Sequence, residues 1–158
     1  MKRARKAAAG PRAAARRPRA AAAGKTRWTP AALMARAERA RKSAYAPYSN
    51  FHVGAALLTA DGKVYEGCNV ENSSFGLSIC AERNAIWKAI SEGVRDFEAV
   101  AVTAGPKHGA SPCGACRQVL HEFAPKLWVI WRNGRGGLVK KRLGKLLDSA
   151  FDFPRRKP

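Results

Sequence analysis

Three cysteines and one glutamate define the chemistry this chain could perform. Cys80 and Glu82 stand in the run Cys80-Ala81-Glu82, and Cys113 and Cys116 form a C-x-x-C pair within Ser111-Pro112-Cys113-Gly114-Ala115-Cys116. Three thiolates can hold a zinc ion and leave its fourth tetrahedral position to a water, the arrangement of a reactive rather than a structural site. Glu82 follows the first cysteine by two residues, near enough to move protons beside that water without binding the metal. Three thiolates on a dication leave an excess of negative charge, so a compensating cation is expected close by.

A closed structural site with Cys68 as a fourth thiolate is the competing reading. Alternation along Gly67-Cys68-Asn69-Val70-Glu71 argues against it: if Asn69 and Glu71 face a pocket, Cys68 faces away as a structural thiol. Taken alone, N-x-E is also compatible with an ordinary polar strand end. His52 and His121 have no ligand spacing with the cysteines, and His108 lies in the loop before the second cysteine motif, where solvent contact is expected.

The elements that must position these residues follow from capping and periodicity. Thr29 before Pro30 marks a helix start, with Leu33, Met34 and Ala37 at helical spacing and an end towards Ala44. Phe51 to about Thr59 and Val64 to Val70 read as strands joined by the turn Ala60-Asp61-Gly62-Lys63. Cys80 opens a helix to about Glu92, stopped by Gly93, and Cys113 opens another reaching about Phe123 before Pro125. Ala99 to Val102 reads as a buried strand, and Leu127 to Trp131 and Leu138 to Lys141 are shorter strands around Asn133-Gly134. This order implies a mixed sheet flanked by helices. Cysteines at helix starts gain from the backbone N–H groups and the positive dipole end, which favour thiolates.

The chain has 158 residues, the size of one domain with a modest core, and a formal net charge of +19. Residues 1–27 carry ten Lys and Arg and no acid, with no large apolar side chain before Trp28. They are expected to form a disordered basic tail, open to salt-sensitive, sequence-independent contact with nucleic acid. The expected boundaries are a tail over 1–27, a folded domain over 28–153 and a basic end over 154–158. Arginines and prolines interrupt the alanine runs, so no apolar core of a secretory signal is present, and no run of 18 apolar residues could span a membrane. Cysteines in metal-like spacing fit a reducing cytoplasm better than a disulfide scaffold.

The linked runs Cys80-Ala81-Glu82-Arg83-Asn84-Ala85 and Pro112-Cys113-Gly114-Ala115-Cys116-Arg117-Gln118-Val119-Leu120 resemble the small zinc-dependent cytidine deaminases, in the three-cysteine form of the deaminase signature. The resemblance extends to Asn69-Val70-Glu71-Asn72, to Tyr48-Ser49-Asn50-Phe51-His52-Val53-Gly54-Ala55-Ala56, and to Leu146-Leu147-Asp148-Ser149-Ala150-Phe151, where Asp148 replaces the family's proline. It implies an α/β fold: a three-layer α/β/α sandwich with a mixed five-stranded sheet. It also implies hydrolytic deamination of cytidine and deoxycytidine on Zn2+ held by Cys80, Cys113 and Cys116, with Glu82 as proton shuttle. By the same resemblance Arg83 hydrogen-bonds the zinc thiolates, and Asn69 and Glu71 grip the sugar hydroxyls. Phe51 lies beside the pyrimidine, the Ala81 N–H holds its O2, and the Ser111 carbonyl accepts from its amine. Deaminases of this size are typically homotetramers in which the residue matching Phe151 reaches a neighbouring subunit's pocket. Other readings are a polynucleotide cytosine deaminase, supported only by the tail, a blasticidin deaminase, which shares the zinc motif, and a zinc-stabilised nucleic-acid-binding module.

Overall fold

The structure is a computed structural model that describes residues 28–154. The tail expected over 1–27, and residues 155–158 of the basic end, lie outside the described residues. The first helix, α1 (Pro30–Arg41), starts where Thr29 Oγ1 accepts from the Ala32 N–H at 3.1 Å, with proline in the first turn. It ends short of Ala44. Strands β1 (Gly54–Thr59) and β2 (Val64–Cys68) form the expected hairpin. Then come α2 (Ala81–Ser91), β3 (Phe97–Thr103), α3 (Gly114–Phe123), β4 (Trp128–Arg132) and β5 (Leu138–Arg142).

The five strands lie in the order β2-β1-β3-β4-β5. Only β3 and β4 pair in parallel, with α3 as their crossover; the other neighbours are antiparallel, so the sheet is mixed. Leu33, Met34 and Ala37 of α1 pack on Ala56, Leu58, Ala101 and Ile130 on one face. Ala85, Ile86 and Leu120 from α2 and α3 pack on Ala55, Leu57, Val100 and Val129 on the other. Strand alternation thus feeds two apolar layers, and the three-layer sandwich follows.

Two of the expected strands are shorter than their sequence pattern. Phe51–Val53 lie outside β1: the Val53 carbonyl still accepts from the Asn69 N–H at 3.2 Å, but the Val53 N–H and the Phe51 carbonyl bond instead to the Asn69 side-chain amide, each at 2.8 Å. Val70 makes only isolated bridges, to Tyr45 and Ile79, so β2 stops at Cys68.

Glycine sets how closely the helices approach. A Cβ on Gly67 would meet the Ala81 carbonyl at 2.5 Å and the Ala85 nitrogen at 2.6 Å, so the first turn of α2 lies directly on β2. Asn84 Nδ2 donates to the Cys68 carbonyl at 3.1 Å and fastens the same contact. The start of α2, with Cys80 and Glu82, is therefore held against the strand that leads into Asn69 and Glu71. Gly54 does the same for α1, its missing Cβ being replaced by the Ala37 carbonyl and the Arg41 backbone.

Candidate active site

Cys80 and Cys113 occupy the N-cap positions of α2 and α3, and Cys116 lies buried one turn into α3. Their three Sγ atoms lie within 4.8 Å of one another. Zinc–sulfur bonds of about 2.3 Å in a tetrahedron place sulfurs roughly 3.8 Å apart, so this set can close on the ion with small side-chain adjustment. Cys68 is outside the cluster, its thiol directed to the Ser43 carbonyl at 3.3 Å. The alternation argument therefore holds, although Cys68 is half-buried rather than fully enclosed.

The thiols are electrostatically coupled. The hydrogen bond from Cys116, and then Arg83, pull the Cys80 thiol down to about 5 against the cost of its burial. Cys116 moves the other way, raised by the same interaction with Cys80, by burial and by the Glu82 charge. Arg83 Nη2 sits 3.4 Å from Cys80 Sγ and 3.4 Å from the Ser78 carbonyl, and Cys80 raises the guanidinium's own pKa. A planar fork of donors thus stands beside the thiol whose pKa is lowered.

Glu82 is only 4% exposed and lies in the first turn of α2. Burial pushes its carboxyl upward, the Cys80 charge adds to this, and its own backbone N–H opposes it. A carboxyl that holds protons more readily than usual is suited to both taking and giving one.

These groups open onto a cavity of about 470 Å³. Phe51, Asn69, Glu71, Ala81 and Ser111 all line it. Glu71 is braced from the far side: its carboxylate accepts from the Tyr48 N–H at 2.9 Å, the Ser49 N–H at 3.2 Å and the Ser49 hydroxyl. The Ser49 hydroxyl bond, with help from the two N–H groups, holds its pKa below the usual value against the opposing effect of desolvation. A carboxylate has about four acceptor sites, so one remains for a ligand; Asn69 similarly retains one donor and one acceptor. Phe151 does not line this chain's cavity. Its ring is 71% exposed, while Gln118 Nε2 donates to its carbonyl at 2.7 Å and ties the segment to α3. Near Asp148 the chain turns through Ser149, which has a φ of 51°.

The family model for the cytidine and deoxycytidylate deaminase zinc-binding region matches residues 28–131. The chain belongs to this family. It is 50% identical over 120 residues to the cytidine deaminase of Sporosarcina psychrophila, covering 75% of this chain and 88% of the relative. The cytidine deaminase of Halalkalibacterium halodurans is 49% identical over 120 residues, covering 75% and 91%. The crystal structure of cytidine deaminase from Burkholderia pseudomallei superposes with a TM-score of 0.74 at 50% identity, covering 78% of this chain and all of that one. The family and the donor set agree on zinc as the metal of this deaminase.

Phe75 lines the cavity as well, and His108 and Arg117 support residues that line it, although the sequence pattern gives none of them a role there. Phe75, in a short 3-10 turn, stands at its wall and packs edge-on to Tyr48, with ring centroids 5.7 Å apart. His108 stands edge-on to Phe51 at 6.3 Å. Arg117 braces the loop before α3, donating to the Pro112 carbonyl at 2.8 Å, Ser111 Oγ at 2.9 Å and the Leu146 carbonyl at 2.7 Å. Only Arg117 had a sequence signal, its place beside Cys116; the aromatic contacts are made across loops and carry no periodicity.

Proposed function

We propose that the chain hydrolytically deaminates cytidine and deoxycytidine to uridine and deoxyuridine, releasing ammonia, as its cytidine deaminase relatives' names imply. The observation that carries this reading is a buried carboxylate, Glu82, beside a three-thiolate cluster at the floor of a cavity whose rim holds Asn69 and Glu71. Cys80, Cys113 and Cys116 would hold the zinc, which when bound acts as a Lewis acid and makes water nucleophilic near neutral pH. Glu82 takes a proton from the attacking water and delivers it to ring N3, then carries the second proton to the departing amine. The water oxygen becomes the C4 carbonyl, and the C4–N bond breaks as ammonia leaves.

Arg83 offsets the thiolate charge at Cys80. Ala81 N–H holds the pyrimidine O2 and the Ser111 carbonyl accepts from the amine, while Phe51 walls the ring. Asn69 and Glu71 bind the sugar hydroxyls through the valences that their backbone partners leave over. We place the enzyme in pyrimidine salvage, in the cytoplasm, as a homotetramer in which Phe151 closes a neighbour's cavity; its exposure and its absence from the lining of its own cavity support that arrangement. Among the described residues no helix is long and apolar enough to cross a membrane. Ammonia release from cytidine, deoxycytidine and a short single-stranded oligonucleotide tests the reading. Turnover of both nucleosides with an inert oligonucleotide is expected; turnover of the oligonucleotide alone would overturn it.

A further inference from the structure

The positive charge of the described fold is concentrated at one edge of the sheet. Residues 28–122 hold ten Lys and Arg against nine acids, whereas residues 123–147 hold seven Lys and Arg and no acid. That second stretch is β4, β5 and their connections. Arg132 is drawn inward, its guanidinium 3.7 Å from Glu38 of α1.

Register places the cations on a particular face. Trp128 pairs with Arg142 and Ile130 with Lys140, so alternate residues of β4 and β5 share the side on which α1 packs. Helix α1 lies chiefly over β1, β2 and β3 and leaves that side of β5 without a helical cover. Tryptophan fills the place: Lys140 Nζ stands 4.3 Å from the Trp128 ring centre and 5.0 Å from that of Trp28, and the Arg142 guanidinium is 3.8 Å from Trp128. Arg142 also donates to the Lys126 carbonyl at 2.5 Å, bringing a further exposed lysine to the same end. Cations resting on aromatic faces have already lost much of their rotamer freedom, so less ordering remains to oppose binding an anion. Trp28 adjoins residues 1–27 and their ten Lys and Arg, so the basic sequence joins the fold at this surface.

We propose that the α1-side surface formed by Trp28, Trp128, Lys140 and Arg142 is a docking site for the phosphate backbone of a nucleic acid strand, read without regard to base sequence. Cations at alternate positions of one strand lie roughly 7 Å apart and present a row of charge, which suits a linear polyanion. A lipid surface is a poorer match, because the tryptophan faces that would insert are covered by Lys140 and Arg142. The surface is separate from the catalytic cavity, which takes no residue from β4 or β5. A charged edge strand also guards a sheet against edge-to-edge pairing, but charge of either sign would serve that purpose.

The test uses the full chain and a fluorescein-labelled uridine 20-mer, which offers no cytosine, with anisotropy titrations across salt concentrations. K140Q/R142Q should weaken binding and reduce the log–log salt slope by about 1.4, the value for two lost phosphate contacts on a single strand. K140E/R142E should bind more weakly still while remaining unaggregated, and K140R/R142K should keep the parental slope. K42Q/R95Q removes the same charge elsewhere and should alter the slope little; cytidine turnover of all variants reports intact folding. The proposal is overturned if K42Q/R95Q loses as much as K140Q/R142Q, or if K140E/R142E binds like the parent. Preference for phosphatidylserine vesicles or polyglutamate over the oligonucleotide would overturn it as well.

Discussion

Glu82→Gln separates proton transfer from every other property of the site. The side chain is 4% exposed in the first turn of α2, and the amide has nearly the same shape, so the cavity and the three thiols should keep their positions. The other carboxylate lining the cavity, Glu71, is occupied by Tyr48 and Ser49 and cannot substitute. With no replacement, the loss should span the full range for a positioned acid–base group, about 10² to 10⁴ in kcat, or roughly 2.7 to 5.4 kcal/mol of barrier. Stability should move the other way. Burial penalises the carboxylate, so a neutral amide removes that cost and the melting temperature should be unchanged or higher. Ammonia release, zinc content and thermal unfolding measured on one preparation check all three outcomes. Activity within tenfold of the parent, with zinc retained, would refute the assignment of Glu82; loss of zinc would refute the claim that it stands apart from the metal.

Metal analysis should find one zinc per chain, and a chelator should abolish turnover that added zinc restores; full activity in zinc-free protein would contradict this. Gly54→Ala would drive a methyl into the backbone of α1 at Ala37 and Arg41, and overpacking of this kind costs about 1 to 3 kcal/mol, to be read as a lower urea midpoint. Glu66 on β2 accepts from Arg39 and Arg36 of α1; burial opposes its ionisation, but the two guanidiniums outweigh it and hold its pKa low. A folded-state pKa below the unfolded value contributes stability above the unfolded carboxylate range near 4.3 and loses it as pH falls through the folded value. Glu66→Gln should therefore cost about 0.2 to 1 kcal/mol near neutrality, and the difference should shrink as pH falls from the unfolded range through the folded value. A stability difference that does not change with pH would remove Glu66 from the account.

What the sequence made legible is whatever depends on near neighbours. Thr29-Pro30 starts a helix because a cap is a local event; Cys80 and Cys113 take N-cap positions without a side-chain cap bond, and the C-x-x-C pair comes together within one turn by helical spacing alone. Phe51 reads as strand by its pattern, yet β1 begins at Gly54, because a side-chain amide 18 residues further on takes the place of a ladder partner. Glu71 lines the cavity, but its bonds to Tyr48 and Ser49 arise from loop packing that no periodicity announces. The cations of β5 were counted in the total charge; only the register of β4 against β5 reveals that two of them sit on the same tryptophan.

The separation of these surfaces bears on whether a strand docked at β5 could itself be the substrate. The cavity side carries Glu71 near its rim and Glu82 at its floor, and a carboxylate beside a phosphate backbone is repelled as well as left unpaired. Lys140 and Arg142 lie on the opposite face of the same sheet, Lys140 continuing the cross-strand row of buried Ala56, Ala101 and Ile130 to the sheet edge. A strand following those cations would have to leave them and round the sheet edge before a base could approach Cys80. That path ends at a cavity whose lining includes the carboxylates of Glu71 and Glu82. Docking a polyanion and deaminating a small neutral nucleoside are therefore compatible on one chain because the sheet keeps their electrostatic demands on different sides.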